Sequence, residues 1–100
     1  MSAKVTGTLK RGLTISGQVH KDFTLREALA EDYFAAEGED TLGKPTTYRA
    51  ALLARQLVHL GSYEGPFNLE MLGKLAGVDL TILMAKQREL DALGEGESAG

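Results

Sequence analysis

The first quarter of the chain alternates between apolar and polar positions. Apolar residues recur at odd numbers, at Val5, Leu9, Leu13, Ile15, Val19, Phe23 and Leu25. A period of two is typical of strands that place one face on a core and the other in water. Ser16–Gly17 interrupts the pattern where a tight turn fits, because glycine tolerates positive φ. The pattern predicts a β-hairpin of residues 5–15 and 18–26, with Gly7 and Gly12 as bulges or breaks.

The pattern becomes helical after the hairpin, and two starts of the first helix are consistent with it. Thr24 and Glu27 have the spacing of a capping box, which would begin the helix at once. The same residues also complete the second strand, in which case the helix begins near Leu29. Gly38 offers a C-terminal cap, and residues 38–46 are rich in loop-forming residues.

The strongest helical pattern runs from about Thr47 to Leu60, with Gly61 as its stop. Apolar residues cover about half of its helical wheel. Leu52 is the exception, because it falls on the polar half beside Tyr48, one turn away. We therefore expect Leu52 to be exposed.

Two further helices follow a second loop. Asn68 is expected to cap a short helix from Leu69 to Ala76, and Asp79 to cap a last helix that ends at about Leu93. Residues 94–100 contain mostly Gly, Glu and Ser, which predicts a disordered polar tail. The chain is thus predicted to be one α+β domain over residues 1–93, an N-terminal β-hairpin followed by three to four short helices.

Charge is distributed unevenly along the chain. Residues 1–22 contain four basic residues and one acidic residue, whereas the remaining residues contain seven basic and thirteen acidic ones. Nucleic-acid binders concentrate positive charge over their helices, and here the helical part is acidic. The longest apolar run is too short to cross a bilayer, and no secretory signal is visible. Composition therefore favours a protein partner over a nucleic acid or a membrane.

Few residues offer chemistry. The absence of cysteine excludes disulfides and thiolate metal ligands. His20 and His59 are too few for a metal site and are interpreted as a surface strand residue and a helix-end residue. Residues 38–44 have the glycine and lysine spacing of a phosphate loop, but Pro45 stands where a hydroxyl is needed. The remaining acidic groups are interpreted as a solvated surface: Glu31, Asp32, Glu37, Glu39 and Asp40. We predict no catalytic, cofactor or metal site.

Residues 69–80 resemble a helix-turn-helix DNA-binding segment. A recognition helix should present Arg, Lys, Asn or Gln to base edges. The candidate helix instead begins Leu80-Thr81-Ile82, and residues 69–93 carry more acidic than basic side chains. A small DNA-binding regulator is kept as the alternative function.

Four segments occur in an order found in one known family. They are Phe23–Glu27, Ala30–Tyr33, Ala50–Arg55 and Leu69–Asp79. In order and spacing, from about Leu13 to Leu93, the chain resembles the tail assembly chaperones of Mu- and P2-like contractile-tailed phages. The resemblance favours the later start of the first helix.

The resemblance implies a non-enzymatic assembly factor of the host cytoplasm that is absent from the finished virion. Such proteins cover the tape-measure protein until tail-tube subunits polymerise around it. The implied partners are the tape-measure protein, the tail-tube protein, a longer form of the chain made by frameshifting, and further copies of itself. No cofactor is implied.

Two faces are candidates for partner contact. One surrounds Leu52 on the polar side of the predicted helix from Thr47 to Leu60. The other is the apolar stripe of the last predicted helix. The residues expected to contact a partner are Tyr48, Leu52, Arg55, Gln56, Ile82, Leu83 and Leu90.

Overall fold

The described residues form a three-stranded antiparallel sheet and four helices. The structure, a computed structural model, describes residues 3–38 and 41–99, with side chains described as far as Leu93. The strands lie side by side in the order β1-β2-β3. The elements are β1 Lys4–Ile15, β2 Gln18–Arg26, α1 Ala30–Glu37, α2 Pro45–Gln56, β3 Leu57–Leu60, α3 Leu69–Leu72 and α4 Gly77–Ala99. The predicted α+β class, with an N-terminal hairpin followed by helices, is confirmed.

The hairpin has the predicted turn. Ser16 and Gly17 have φ values of +51° and +80°. Two consecutive residues with positive φ are what a two-residue turn matched to strand twist requires. The strands β1 and β2 pair regularly up to Thr8 opposite Asp22, and the register then shifts before Leu13.

The two hairpin glycines have different roles. Gly12 lies in the irregular part of β1 with φ +83°, so the bulge predicted there is confirmed. Gly7 pairs directly with Phe23 and lies outside the register shift. A Cβ at Gly7 would come 2.6 Å from the Phe23 ring, so this glycine allows a close side-chain approach and is not a bulge.

Replacing Gly12 by alanine should destabilise the protein more than replacing Gly17. Both glycines have positive φ, but a Cβ at Gly12 would lie 2.7 Å from the His20 carbonyl oxygen, whereas Gly17 faces open space. We expect Gly17→Ala to cost about 1 kcal/mol of unfolding free energy and Gly12→Ala about 2–3 kcal/mol. Urea unfolding of both variants measures the difference, and equal losses would contradict the steric argument.

The predicted helix from Thr47 to Leu60 is wrong at its end. The helix α2 stops at Gln56, and Leu57–Leu60 forms β3, which pairs with β2. The side chains of Leu57 and Leu60 are buried, as helical periodicity also required. The strand additionally hydrogen-bonds the otherwise free edge of β2, which an α-helix at this place cannot do.

Other boundaries differ from the sequence prediction by smaller amounts. The helix α1 begins at Ala30, which confirms the later start, and Thr24 belongs to β2. The side chain of Asn68 caps α3 as predicted, accepting from the Met71 N–H at 2.9 Å, but α3 comprises only Leu69–Leu72. The backbone of α4 continues past Leu93 to Ala99. The tail predicted to be disordered comprises residues 94–100, and its side chains lie outside the described part of the chain.

The main core lies between the sheet and the helices α2 and α4. It contains Val5, Leu9, Leu13, Phe23, Leu25, Ala50, Leu53, Ala54, Leu57, Leu60, Leu72, Leu83 and Leu90. A second, smaller cluster joins α1 to α2 through Ala36, Ala51 and Leu52. Because α1 covers the face of α2 that turns away from the main core, α2 is buried on two sides. Among the described residues, no helix is long and apolar enough to cross a membrane.

Candidate partner-binding surface

Asp32 is a completely buried carboxylate at the start of α1. The Arg26 guanidinium donates to both of its oxygens, Nη1 to Oδ2 at 2.8 Å and Nη2 to Oδ1 at 3.1 Å. The Nε of Arg55 donates to Oδ1 at 2.9 Å, and the backbone N–H of Leu29 donates to Oδ2 at 2.7 Å. The interpretation of Asp32 as part of a solvated acidic surface is therefore wrong. Two arginines from other elements pair with this carboxylate and so stabilise it in a buried position.

The hydrogen bond from Arg26 holds the pKa of Asp32 far below its ordinary value. Donors from Leu29 and Arg55 act in the same direction and together outweigh the desolvation of the carboxylate. In return, the bond to Asp32 raises the pKa of Arg26. Asp32 is thus ionised at neutral pH and joins β2, α1 and α2.

Two buried glutamines extend this polar network to α4. Gln56 donates to the Arg26 carbonyl oxygen at 3.1 Å and accepts from Gln87 Nε2 at 2.8 Å. The Oε1 of Gln87 accepts from Arg49 Nε at 3.0 Å. Both glutamines are fully buried, so their bonds orient α4 against α2 and β2. Gln56 was expected on a partner-binding surface and lies inside instead.

Asp79 anchors α4 to the bulge of β1. Its carboxylate accepts from the backbone N–H groups of Lys10 at 2.7 Å, Arg11 at 3.1 Å and Gly12 at 2.9 Å, and it is fully buried. The expected role of Asp79 as the cap that begins the last helix is wrong, because α4 begins two residues earlier, at Gly77. Its side chain binds the hairpin and does not close its own helix.

The predicted contact residues do not all lie at the surface. Leu83 and Leu90 are each 1% exposed in the main core. The prediction that Leu52 is exposed is wrong, because α1 covers it and leaves 5% of its surface accessible. Tyr48, Arg55 and Ile82 keep accessible surface. Their contact with a partner stays a prediction.

The most exposed aromatic residue lies on the outward side of α1. Asp32 and Ala36 face the interior, and at about 100° per residue Phe34 lies about 200° away from Asp32. Phe34 is 71% exposed, and Leu42, in the loop after α1, is 95% exposed. Neither residue was predicted to be a contact residue, and Phe34 was overlooked because the carboxylates of α1 were assigned to its outer side. The helical wheel of α1, drawn with Asp32 inward, would have shown Phe34 at the surface.

A groove runs beside this outward side. A cavity of about 540 Å³ is lined by Glu37, Thr41, Leu42, Gly43 and Tyr48. A second one of about 420 Å³ shares Thr41, Gly43 and Tyr48 and continues past Lys44 to Arg49. Partial burial raises the pKa of the Tyr33 hydroxyl, and the nearby Asp91 carboxylate and Tyr48 raise it further. Tyr33, Phe34 and Glu37 fall within about 100° of one another around α1, so they share one side of the helix. We call this region the α1 surface: Tyr33, Phe34, Glu37, Leu42 and Tyr48.

The histidines and the glycine-rich loop have structural roles. His20 is only 8% exposed, so its interpretation as a surface residue is wrong. His59 lies in β3, where its Nε2 is 2.8 Å from Thr24 Oγ1. In the loop, the Thr41 hydroxyl donates to the Ala36 carbonyl oxygen at 2.9 Å and closes the end of α1. Within the described ranges, no three His, Cys, Asp or Glu residues are placed to hold a metal ion.

Comparison with known proteins gives one match. A family model described as tail assembly protein gp41 matches residues 9–99. No curated protein and no solved structure matches the chain. The matched range begins within β1 and includes every later strand and helix, together with Asp32, Asp79 and the α1 surface.

Proposed function

We propose that this chain, which belongs to the tail assembly protein gp41 family, is a tail assembly chaperone that binds the tape-measure protein before the tail tube polymerises. The observation that carries the proposal is the family match over residues 9–99, nearly the whole described fold. Phage tail assembly is the function of the family, and the chaperone role and the tape-measure partner are our proposal.

The physical properties of the α1 surface support a holding function. A tape-measure protein with long helices exposes apolar stripes that associate with one another unless they are covered. Phe34 and Leu42 provide exposed apolar area, and the surrounding acidic residues keep a loaded complex soluble. A shallow groove of this kind binds a helix without enclosing it, so tube subunits can displace the chaperone.

The buried polar groups support a non-enzymatic role. In the described part of the chain, every buried side-chain nitrogen or oxygen has a hydrogen-bond partner. Asp32 and Asp79 are both fully buried and bound to arginines or backbone N–H groups of other elements. Their carboxylates stabilise the fold and are closed to a substrate. We propose action in the host cytoplasm, with the tail-tube protein and a frameshifted longer form as further partners.

The DNA-binding alternative receives little support from the fold. The first helix of the supposed helix-turn-helix is a single turn, Leu69–Leu72. The second would have to present the start of α4 to a groove, but Asp79 there is buried against β1. A DNA groove would face an acidic helix, and the first turn of this helix is already packed against β1.

Co-expression with the tape-measure protein of the same phage tests the proposal. We expect the two proteins to co-purify and the tape-measure protein to become more soluble, and we expect mass spectrometry of purified virions to lack this chain. A low-salt gel shift with duplex DNA is the control, because even non-specific DNA binders retard DNA there. Two soluble proteins that form no complex, or a clear gel shift, would contradict the proposal.

A further inference from the structure

We infer that the α1 surface binds an amphipathic helix whose apolar stripe is flanked by Lys and Arg residues. Under the proposed function, on which this inference rests, that helix is a segment of the tape-measure protein. This contact face differs from the stripe of the last helix that the sequence suggested, because Leu83 and Leu90 of that stripe are buried in the core.

The exposure of Phe34 is imposed by the packing of α1. Asp32, on the opposite side of the helix, is held by Arg26 and Arg55 at 2.8–3.1 Å. Ala36, one turn later, is fully buried against α2. Rotating α1 to bury Phe34 would move Asp32 outward, break its ion pairs and leave the Arg26 and Arg55 guanidinium groups without their carboxylate partner. The aromatic ring is therefore held in water until a partner covers it.

The shape of the α1 surface suits a helix. Phe34 and Leu42 project from it, Tyr33 is exposed beside them, and the groove is lined by Glu37, Leu42 and half-buried Tyr48. An amphipathic helix places apolar side chains at i, i+3, i+4 and i+7, a spacing that fits projecting and recessed apolar groups in one row. Aromatic anchors at the centre of a contact contribute most of its binding energy.

The charge of the α1 surface selects a basic partner. Exposed Glu31 and Glu37 lie three residues before and after Phe34, so both flank its ring on the helix surface. Residues 30–42 contain five acidic residues and no basic one, and of the three that lie in α1 only Asp32 is paired with arginines in the described part of the fold. On the far side of the groove, Arg49 is engaged by Gln87 and by Asp91 at 3.8 Å. Lys or Arg side chains of a partner would meet the glutamates and the face of the Phe34 ring.

The same charge argues against a second copy of this chain as the occupant. A symmetric contact between two α1 surfaces would bring Glu31 and Glu37 of one copy against those of the other. Like charges opposed at a contact weaken it. A basic helix avoids this repulsion.

Substitution of the projecting residues tests the inference. We compare Phe34→Ser and Leu42→Ser with the matched control Val19→Ser, which removes an apolar side chain that is 58% exposed at the hairpin turn. The probe is the co-expressed tape-measure protein, and the readouts are its dissociation constant and the thermal unfolding of each variant. We expect each α1-surface variant to bind about tenfold or more weakly, with unchanged unfolding, and the control to bind normally.

A charge variant provides a second test. The double substitution Glu31→Lys with Glu37→Lys should weaken binding and flatten its salt dependence, because the wild-type attraction is screened by salt. Normal binding by both serine variants, while the wild type binds, would overturn the α1 surface and leave the proposed function intact. Absence of wild-type binding would overturn both. A wild-type oligomer that becomes monomeric only in Phe34→Ser, with tape-measure binding unchanged, would identify a second copy as the occupant and overturn the inference.

Discussion

Replacing Asp32 by alanine should lower the free energy of unfolding by about 3 kcal/mol, a large part of the total for a domain of this size. Removal of the carboxylate leaves the Arg26 and Arg55 guanidinium groups without their buried acceptor. The N–H of Leu29 loses its bond as well. Urea unfolding followed by circular dichroism measures the loss. Glu31→Ala is the matched control, because Glu31 is the neighbouring acid but exposed, and we expect it to cost less than about 0.5 kcal/mol.

The pH dependence provides an independent check on Asp32. Because the fold lowers the pKa of Asp32, its stabilisation is complete above the ordinary aspartate pKa of about 3.9. It is lost progressively as the pH falls below that value toward the lower pKa of the folded state. The wild type should therefore lose more stability than Asp32→Ala between about pH 5 and pH 2. Equal acid slopes in the two proteins would show that this carboxylate is not the buried ionised group described above.

Replacing Asp79 by alanine should cost about 3 kcal/mol, because three consecutive backbone N–H groups lose a charged acceptor at once. These groups lie in the bulge of β1, where no strand partner replaces the lost bonds. The bulge itself should also be destabilised, because the Asp79 side chain hydrogen-bonds the hairpin from α4. Hydrogen exchange of Lys10, Arg11 and Gly12 should accelerate in the variant beyond that of the other β1 amides.

Asp22→Ala is the matched control for Asp79. Asp22 also lies at the hairpin, but it is exposed and accepts from the single hydroxyl of Thr8 at 3.0 Å. We expect it to cost less than about 1 kcal/mol. Similar losses for the two aspartates, or unchanged exchange at the bulge, would refute the anchoring role of Asp79.

The segments that carry the family resemblance contain the residues that bind the secondary-structure elements to one another. Arg26, Asp32 and Arg55 come from three of these segments and meet in one ion-pair cluster. Asp79 ends the fourth and binds the β1 bulge. Phe34 and Leu42, the most exposed apolar residues of the α1 surface, fall outside all four segments. Apart from Tyr33, the residues that carry the family resemblance are thus not those of the proposed contact surface.

Local patterns were enough to predict the hairpin and several helix ends. The alternation of residues 5–25, the Ser16–Gly17 turn and the Asn68 cap depend on neighbours within a few residues, so each could be inferred without knowing the fold. Composition and motif order also indicated the fold class and the family correctly.

Contacts between distant residues decided the rest. Leu57 and Leu60 are three residues apart, which is a helical spacing and not the alternation of a regular strand. They form a strand because β3 pairs with the free edge of β2, with a register shift between Thr24 and Leu25. Whether Asp32 or Phe34 faces water depends on Arg55, which lies 23 residues from Asp32 and reaches it only in the folded chain. Periodicity reports which residues share a face, but which face is inside depends on what the remaining elements bring to it.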